Sequence, residues 1–229
     1  MLDPSRVPAW VTHEYRNFHE QVIAPGFPCH FGAMAEKNKE LRYTCLKWND
    51  LINLPATLEE FLHLSRSNPK ARHNLTVFFE PEQDEKSFDF YQNRFWEVLN
   101  FLHKHDPKPW PQNVPRHPDD PLWEFCFDGE PFFLFTSSPA YKQRKSRNYG
   151  NCLMILFQPK RVFVGIESET SNGMKARHAI RSRLKVWDDG IELHPDMINP
   201  GEILTHRWKL YAFSDDDTPA TGTCPFSHD

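Results

Sequence analysis

The chain has 229 residues, of which 39% are hydrophobic and 25% are charged, a balance typical of globular rather than disordered proteins. Its formal net charge of −4 argues against a basic field able to hold nucleic acid. Prolines outnumber glycines 20 to 9, which disfavours glycine-rich phosphate loops. The longest apolar runs are far shorter than the roughly 18 residues of a membrane span, so we expect no membrane partner.

The N-terminal sequence and the spacing of the cysteines indicate in which cellular compartment the protein is expected. The first residues lack the basic and apolar regions of a secretory signal. The five cysteines are widely spaced and include no CxxC pair, which argues against a disulfide framework and against a structural zinc site. We therefore expect a cytoplasmic protein.

Apolar periodicity predicts the elements of the N-terminal part of the chain. Apolar residues at helical spacing between Val11 and Val22 predict a first helix, which stops at Pro25. Thr57 and Glu60 form a capping box, which predicts that another helix follows directly. In chain order, the predicted elements are a helix over 11–22, a helical turn over 33–39, a strand over 41–48, a helix over 58–67 and a strand over 74–80.

The clearest helix signal covers residues 84–105, where apolar residues keep helical spacing over several turns. The proline-rich segment 106–121 predicts an irregular loop. Asp128 and Gly129 then stand between two aromatic runs, which predicts a β-hairpin over 123–136. The remaining predicted elements are strands over 153–158 and 161–164, a helix over 173–187 and a last strand over 208–213.

This order of elements predicts a single α+β domain over residues 1–229, with an antiparallel or mixed sheet and irregular ends at about 1–8 and 214–229. The aromatic hairpin is expected at the centre of the sheet, flanked by helices. The helix over 84–105 is expected to pack across the hairpin, because both segments carry long apolar faces that need burial.

Candidate metal ligands are the first residues that could carry chemistry. No nucleophile elbow, HExxH motif, Walker loop or dinucleotide fingerprint occurs, so the enzyme classes that these motifs mark have no support. Cys29 lies in a Pro-Cys-His-Phe-Gly loop that could present a thiolate to a haem iron, or it could be a buried, inert cysteine. His103 is either an imidazole ligand or a core histidine, and His194 is a further candidate.

Charged residues supply candidate binding groups. The basic segment 142–147 contains Arg144 and Arg147, whose guanidinium groups could hold the carboxylates of a ligand. Such segments also occur as solvated loops. Glu124 and Glu130 flank the hairpin and could pair with a cationic substrate, or they could be solvated ends of the strands.

Several segments resemble the YqcI/YcgG family, in the same order along the chain. They are Phe-Pro-Cys-His-Phe-Gly-Ala at 27–33, Trp-Glu-Val-Leu-Asn-Phe-Leu-His-Lys-His-Asp at 96–106 and Asp-Pro-Leu-Trp-Glu-Phe-Cys-Phe-Asp-Gly-Glu-Pro-Phe-Phe at 120–133, with further matches at 138–148, 157–159 and 224–226. The similarity spans roughly residues 15 to 226. One departure is Ser138-Pro139, where some members of the family carry His-Pro.

The resemblance implies a haem-dependent N-oxygenase that hydroxylates a guanidine nitrogen of L-arginine or of a related guanidino compound. It implies haem b as the cofactor, dioxygen as the co-substrate and an electron-donor reductase as a partner. A non-catalytic haem carrier or sensor with the same pocket is the alternative.

The resemblance also implies roles for the candidate residues. Cys29 is the first choice for the axial ligand, because a thiolate favours O–O cleavage, and His103 is the alternative. Glu124 and Glu130 are candidates for binding the guanidinium, since a buried cation needs a carboxylate. The candidates for binding the haem propionates or a substrate carboxylate are Arg42, Arg144 and Arg147.

Overall fold

A mixed sheet of five strands organises the structure, a computed structural model that describes residues 7–167, 170–198 and 206–228. The strands are β1 (Leu41–Leu46), β2 (Asn74–Phe79), β3 (Phe125–Phe127), β4 (Glu130–Ser137) and β5 (Met154–Pro159). Their order across the sheet is β1-β2-β5-β4-β3. β1 and β2 are parallel, whereas all other neighbours are antiparallel. The predicted single α+β domain with a mixed sheet is therefore confirmed.

In the described parts of the chain, six α-helices accompany the sheet. They are α1 (Ala9–Val22), α2 (His30–Lys37), α3 (Leu54–Ser67), α4 (Phe88–Lys104), α5 (Ser171–Trp187) and the short α6 (Trp208–Tyr211). The predicted helices over 11–22, 84–105 and 173–187 correspond to α1, α4 and α5. The start of α4 is set by Ser87, whose hydroxyl accepts the backbone N–H of Phe90. Among the described residues, no helix combines the length and the apolar character that crossing a membrane requires.

The two faces of the sheet are covered by different helices. Side chains alternate between the faces of a strand, so Val77 and Phe79 of β2 pack on one face with the core residues of α3 and α4. Phe78 points to the other face and packs with α1 and α2. The described residues therefore form two apolar cores, one on each face of the sheet.

The hairpin is confirmed, but it lies at one edge of the sheet rather than at its centre. Asp128 and Gly129 both have positive φ angles, of 50° and 73°, as a two-residue type I′ turn requires. β5 occupies the middle of the sheet and pairs with both β2 and β4. The turn signal determines only the pairing of β3 with β4, so it carries no information on which strand lies beyond β4. As predicted, α4 packs against β3.

The predicted helix over 58–67 is confirmed as part of α3 but starts earlier than expected, and two predicted strands are wrong in type. α3 begins at Leu54, with Pro55 in its first turn, and the hydroxyl of Thr57 donates to the carbonyl of Asn53 instead of forming a capping box. The predicted strand over 161–164 lies mostly in a 3₁₀ turn, Lys160–Phe163. The predicted strand over 208–213 begins with α6, because one helical turn buries both Trp208 and Tyr211.

The turn of the hairpin provides a stability test. Replacement of Gly129 by alanine is expected to lower the free energy of unfolding by about 1 kcal/mol, because the positive φ disfavours any Cβ. Chemical denaturation measures this change. Gly129→Asn is the control, since asparagine tolerates this conformation better, and a loss as large as that of Gly129→Ala would contradict the assignment to backbone strain.

Candidate functional site

A cleft of about 490 Å³ opens between α1, the segment 139–151 and the C-terminal end of α5. Its volume lies within the ~300–1,000 Å³ range of small-molecule sites. Most of its lining is polar, and the polar side chains are those of Asn17, Glu20, Gln21, Lys142, Asn148 and Asn151. Such a lining suits a ligand that forms several hydrogen bonds. No residue of the sequence-based site prediction lines this cleft.

A buried carboxylate lies against one wall of the cleft. Glu14 of α1 is only 2% exposed. Its carboxylate accepts the backbone N–H of Asn151 at 2.8 Å and the side-chain amide of the same residue at 3.2 Å. Together with burial, its charge raises the pKa of the neighbouring Cys152 thiol well above the usual range. Within the described residues, Glu14 forms no ion pair with a lysine or an arginine.

Glu14 is not among the residues predicted from the sequence, although its position along α1 carries a signal. Glu14 follows Val11 by three residues and precedes Phe18 by four, so it occupies the apolar stripe of α1. All three side chains are buried. A carboxylate on such a stripe departs from amphipathic patterning. Because charged side chains are seldom buried without a partner, this departure indicates a candidate functional residue.

Cys29 lies next to an aromatic wall of the cleft. It is the N-cap of α2, and its Sγ accepts the backbone N–H of Gly32 at 3.4 Å. Burial raises the pKa of the Cys29 thiol, and the backbone N–H groups of Gly32 and Phe31 oppose that rise. In the same loop, the ring of Phe27 packs at 6.2 Å from Tyr149 and at 5.6 Å from Trp187. Both of these partners line the cleft.

His103 lies on the opposite side of the sheet. It belongs to the last turn of α4 and packs beside Trp110 and Phe226. Its Nε2 is 3.2 Å from Nδ1 of His228, and its Nδ1 is buried without a hydrogen-bond partner among the described residues. Burial, together with the charge of Arg116, lowers the pKa of His103. Because Cys29 belongs to the other core, the two candidate ligands cannot hold the same iron.

The two carboxylates of the hairpin already have cationic partners. Glu124 is 1% exposed and pairs with Lys160 at 2.6 Å and with Arg207 at 2.5 Å. Glu130 pairs with Arg161. Each carboxylate therefore holds an internal cation, and a guanidinium substrate would have to displace it. Their predicted role in substrate binding stays a prediction.

The predicted arginines also bind protein groups. The guanidinium of Arg147 donates to backbone carbonyls of β4 and α6. Arg144 donates to the carbonyl of Glu192 and pairs with Asp217 at 2.8 Å. Arg42 donates to the carbonyls of Lys39 and Leu41. All three guanidinium groups thus have partners within the chain, and their predicted contacts with propionates or a substrate carboxylate stay predictions.

His194 forms a Ser-His-Asp grouping that does not have the geometry of a hydrolase triad. Its Nε2 is 3.0 Å from Oγ of Ser214, and its Nδ1 is 3.5 Å from the carboxylate of Asp196. However, Nδ1 accepts the backbone N–H of Asp196, so the ring proton of neutral His194 is on Nε2. Burial lowers the pKa of His194. The imidazole therefore donates toward Ser214 instead of acting as its base.

Comparison with known proteins identifies a family and several similar sequences. The sequence model of the YqcI/YcgG family matches residues 18–227. The chain is 32% identical to the uncharacterized protein YqcI of Bacillus subtilis (strain 168), over 96% of this chain and 89% of that protein. It is 34% identical to the uncharacterized protein YcgG of the same organism, over 90% of this chain and 82% of that protein.

A third relative comes from Streptomyces lavendulae and is provisionally named N(omega)-hydroxy-L-arginine synthase DcsA. It is 29% identical to this chain, over 95% of this chain and 84% of that protein. No solved structure matches the chain.

Proposed function

The chain belongs to the YqcI/YcgG family, and from this premise we propose that it is a haem-dependent N-oxygenase. The proposed substrate is L-arginine or a related guanidino compound, hydroxylated on a guanidine nitrogen. The observation that carries the proposal is the similarity to the protein named as a hydroxyarginine synthase, which extends over most of both chains. Similarity of this extent supports a common reaction rather than a common accessory segment.

The surroundings of Cys29 fit a haem ligand. A haem needs few protein donor atoms, so the lack of a cluster of three His, Cys, Asp or Glu side chains in the described parts of the chain does not bear on it. The backbone N–H of Gly32 already points at Sγ and opposes the rise that burial causes in the pKa of the Cys29 thiol. The contacts of Phe27 with Tyr149 and Trp187 give the loop of Cys29 the apolar surroundings that a haem requires.

The proposed roles of the residues follow from these positions. When bound, haem activates dioxygen for the transfer of one oxygen atom to the substrate nitrogen. Cys29 supplies the thiolate, and the N–H of Gly32 holds the negative charge on its Sγ. The rings of Tyr149 and Trp187 exclude water from the side of the cleft nearest to Cys29. The polar lining of the cleft holds the substrate against this wall.

The stoichiometry of the reaction implies a partner. Hydroxylation of the nitrogen consumes dioxygen, two electrons and two protons, and it releases water together with the N-hydroxylated product. The electrons come from outside the chain in this proposal, so an electron-donor reductase is its partner.

Absorption spectroscopy of the full-length protein tests the proposal. Protein produced with added haem is expected to show a Soret band, and L-arginine is expected to shift it because the substrate displaces water near the cofactor. Protein that lacks a Soret band would overturn the haem dependence. A haem-loaded protein whose spectrum responds to no guanidino compound, and which yields no product, would instead support a haem carrier or sensor.

A further inference from the structure

We infer that the cleft binds the guanidinium end of its substrate through Glu20, with the buried charge of Glu14 behind the wall. This inference rests on the proposed function and assigns the residues that determine its specificity. It differs from the sequence-based prediction, which gave the guanidinium to the hairpin carboxylates.

The cleft has an excess of negative charge from its carboxylates. Glu20 lines the cleft and is exposed, whereas Glu14 is buried behind Gly150 and Asn151 of the lining. The lysine of the lining, Lys142, is paired with Glu85 at 2.8 Å. Among the described residues, neither Glu14 nor Glu20 has a cationic partner. Burying a carboxylate without a counter-charge is costly, and a cationic ligand in the cleft supplies that charge.

The lining offers acceptors that match a guanidinium group. The guanidinium is planar, carries five N–H donors and stacks on aromatic faces. Glu20 provides a carboxylate, and Asn17 and Gln21 provide amide oxygens from neighbouring positions of α1. Trp187 adds a partly exposed aromatic ring to the lining. An ammonium group, which is a compact charge without a flat face, uses fewer of these contacts.

Gly150 brings the buried charge close to the ligand. Gly150 lines the cleft, and a Cβ at this position would overlap Oε2 of Glu14. No side chain therefore stands between the cleft and the carboxylate at this point of the wall. Because protein rather than water lies between Glu14 and a cation bound at this point, the charge of Glu14 is screened less than it would be through water.

The hairpin carboxylates lack these properties. Glu124 holds two cations of its own, and Glu130 holds a third. A substrate guanidinium at either position would leave a protein cation without its partner. Binding of the guanidinium in the cleft leaves no protein cation without its partner, because Glu20 has no cationic partner among the described residues.

Calorimetric titration of the haem-loaded full-length protein tests the inference. L-citrulline is the matched ligand, because it replaces the guanidinium of L-arginine by a neutral group of the same shape. We expect L-arginine to bind more tightly than L-citrulline. The variant Glu20→Gln is expected to bind L-arginine roughly 10- to 100-fold more weakly, the change that loss of a charge-assisted hydrogen bond produces. Glu14→Gln is expected to weaken binding less, because Glu14 acts on the ligand through its charge and not through a hydrogen bond. Glu59→Gln, an exposed residue of α3, is expected to bind it as the wild type does.

The outcomes separate this inference from the proposed function. Because Glu20 is exposed, its variant is expected to fold even where that of Glu14 does not. Wild-type affinity in Glu20→Gln, or equal affinity for L-arginine and L-citrulline, would overturn the inference while hydroxylation of L-arginine left the proposed function intact. A wild-type protein that neither binds nor hydroxylates any guanidino compound would overturn both.

Discussion

Replacement of Arg147 by methionine is expected to lower the free energy of unfolding by about 3 kcal/mol. The guanidinium of this buried residue donates to the carbonyls of Thr136 and Tyr211 at 3.2 Å and to that of Leu210 at 3.0 Å. Methionine fills a similar space but donates to none of them. The loss exceeds that of an ordinary surface substitution, because polar groups in the interior lose their partners.

The aromatic neighbours of Arg147 add to this effect. Its guanidinium carbon lies 4.1 Å from the ring centres of both Phe135 and Phe213, so one cation joins β4 to the chain after α6. Burial lowers the pKa of Arg147, and this cost of burying the charge offsets part of the gain. Urea denaturation measures the difference, with the exposed Arg16→Met as the control. A loss below about 0.5 kcal/mol, as for a surface residue, would contradict the role assigned to Arg147.

Replacement of Cys29 by alanine is expected to remove the thiolate signature of the proposed haem site. Spectra of the reduced protein with carbon monoxide distinguish thiolate ligation from imidazole ligation. Because Cys29 and His103 lie in cores on opposite sides of the sheet, only one of the two substitutions is expected to change the spectrum. Cys29→Ala is expected to do so, and His103→Ala is expected to leave the band in place.

A matched cysteine controls for the general effects of removing a thiol. Cys45 of β1 is partly buried in the same core as Cys29, but it caps no helix. Cys45→Ala is therefore expected to keep the wild-type spectrum. Loss of the band in His103→Ala together with its survival in Cys29→Ala would transfer the ligand role to His103.

Local signals in the sequence predicted those elements whose formation depends on nearby residues. The helical spacing before His105 predicted α4, and the pair Asp128-Gly129 predicted the turn between β3 and β4. The position of the hairpin at the sheet edge depends on the pairing of β5 with β2, two strands far apart in the chain. The aromatic run over 208–213 is compatible with either a strand or a helix by composition, and the burial of Trp208 and Tyr211 selected the helical turn.

The site was harder to predict because its residues come from distant segments. Asn151 and Trp187 line one cleft, and Asn151 is bonded to Glu14 although more than a hundred residues separate the two. From the sequence, no ion-pair partner could be identified for Glu124 or for Glu130. Their partners, among them Arg207 and Arg161, follow much later in the chain, so neither ion pair was visible before the strands were placed.

The most direct test of the proposed activity is the incubation of haem-loaded protein with L-arginine, a reductase system and isotopically labelled dioxygen. Mass spectrometry is expected to find a product heavier than L-arginine by one labelled oxygen atom, formed only when haem, reductant and protein are all present. Hydroxyarginine carrying unlabelled oxygen, or the absence of any oxygenated product from L-arginine and from a panel of guanidino compounds, would contradict the account.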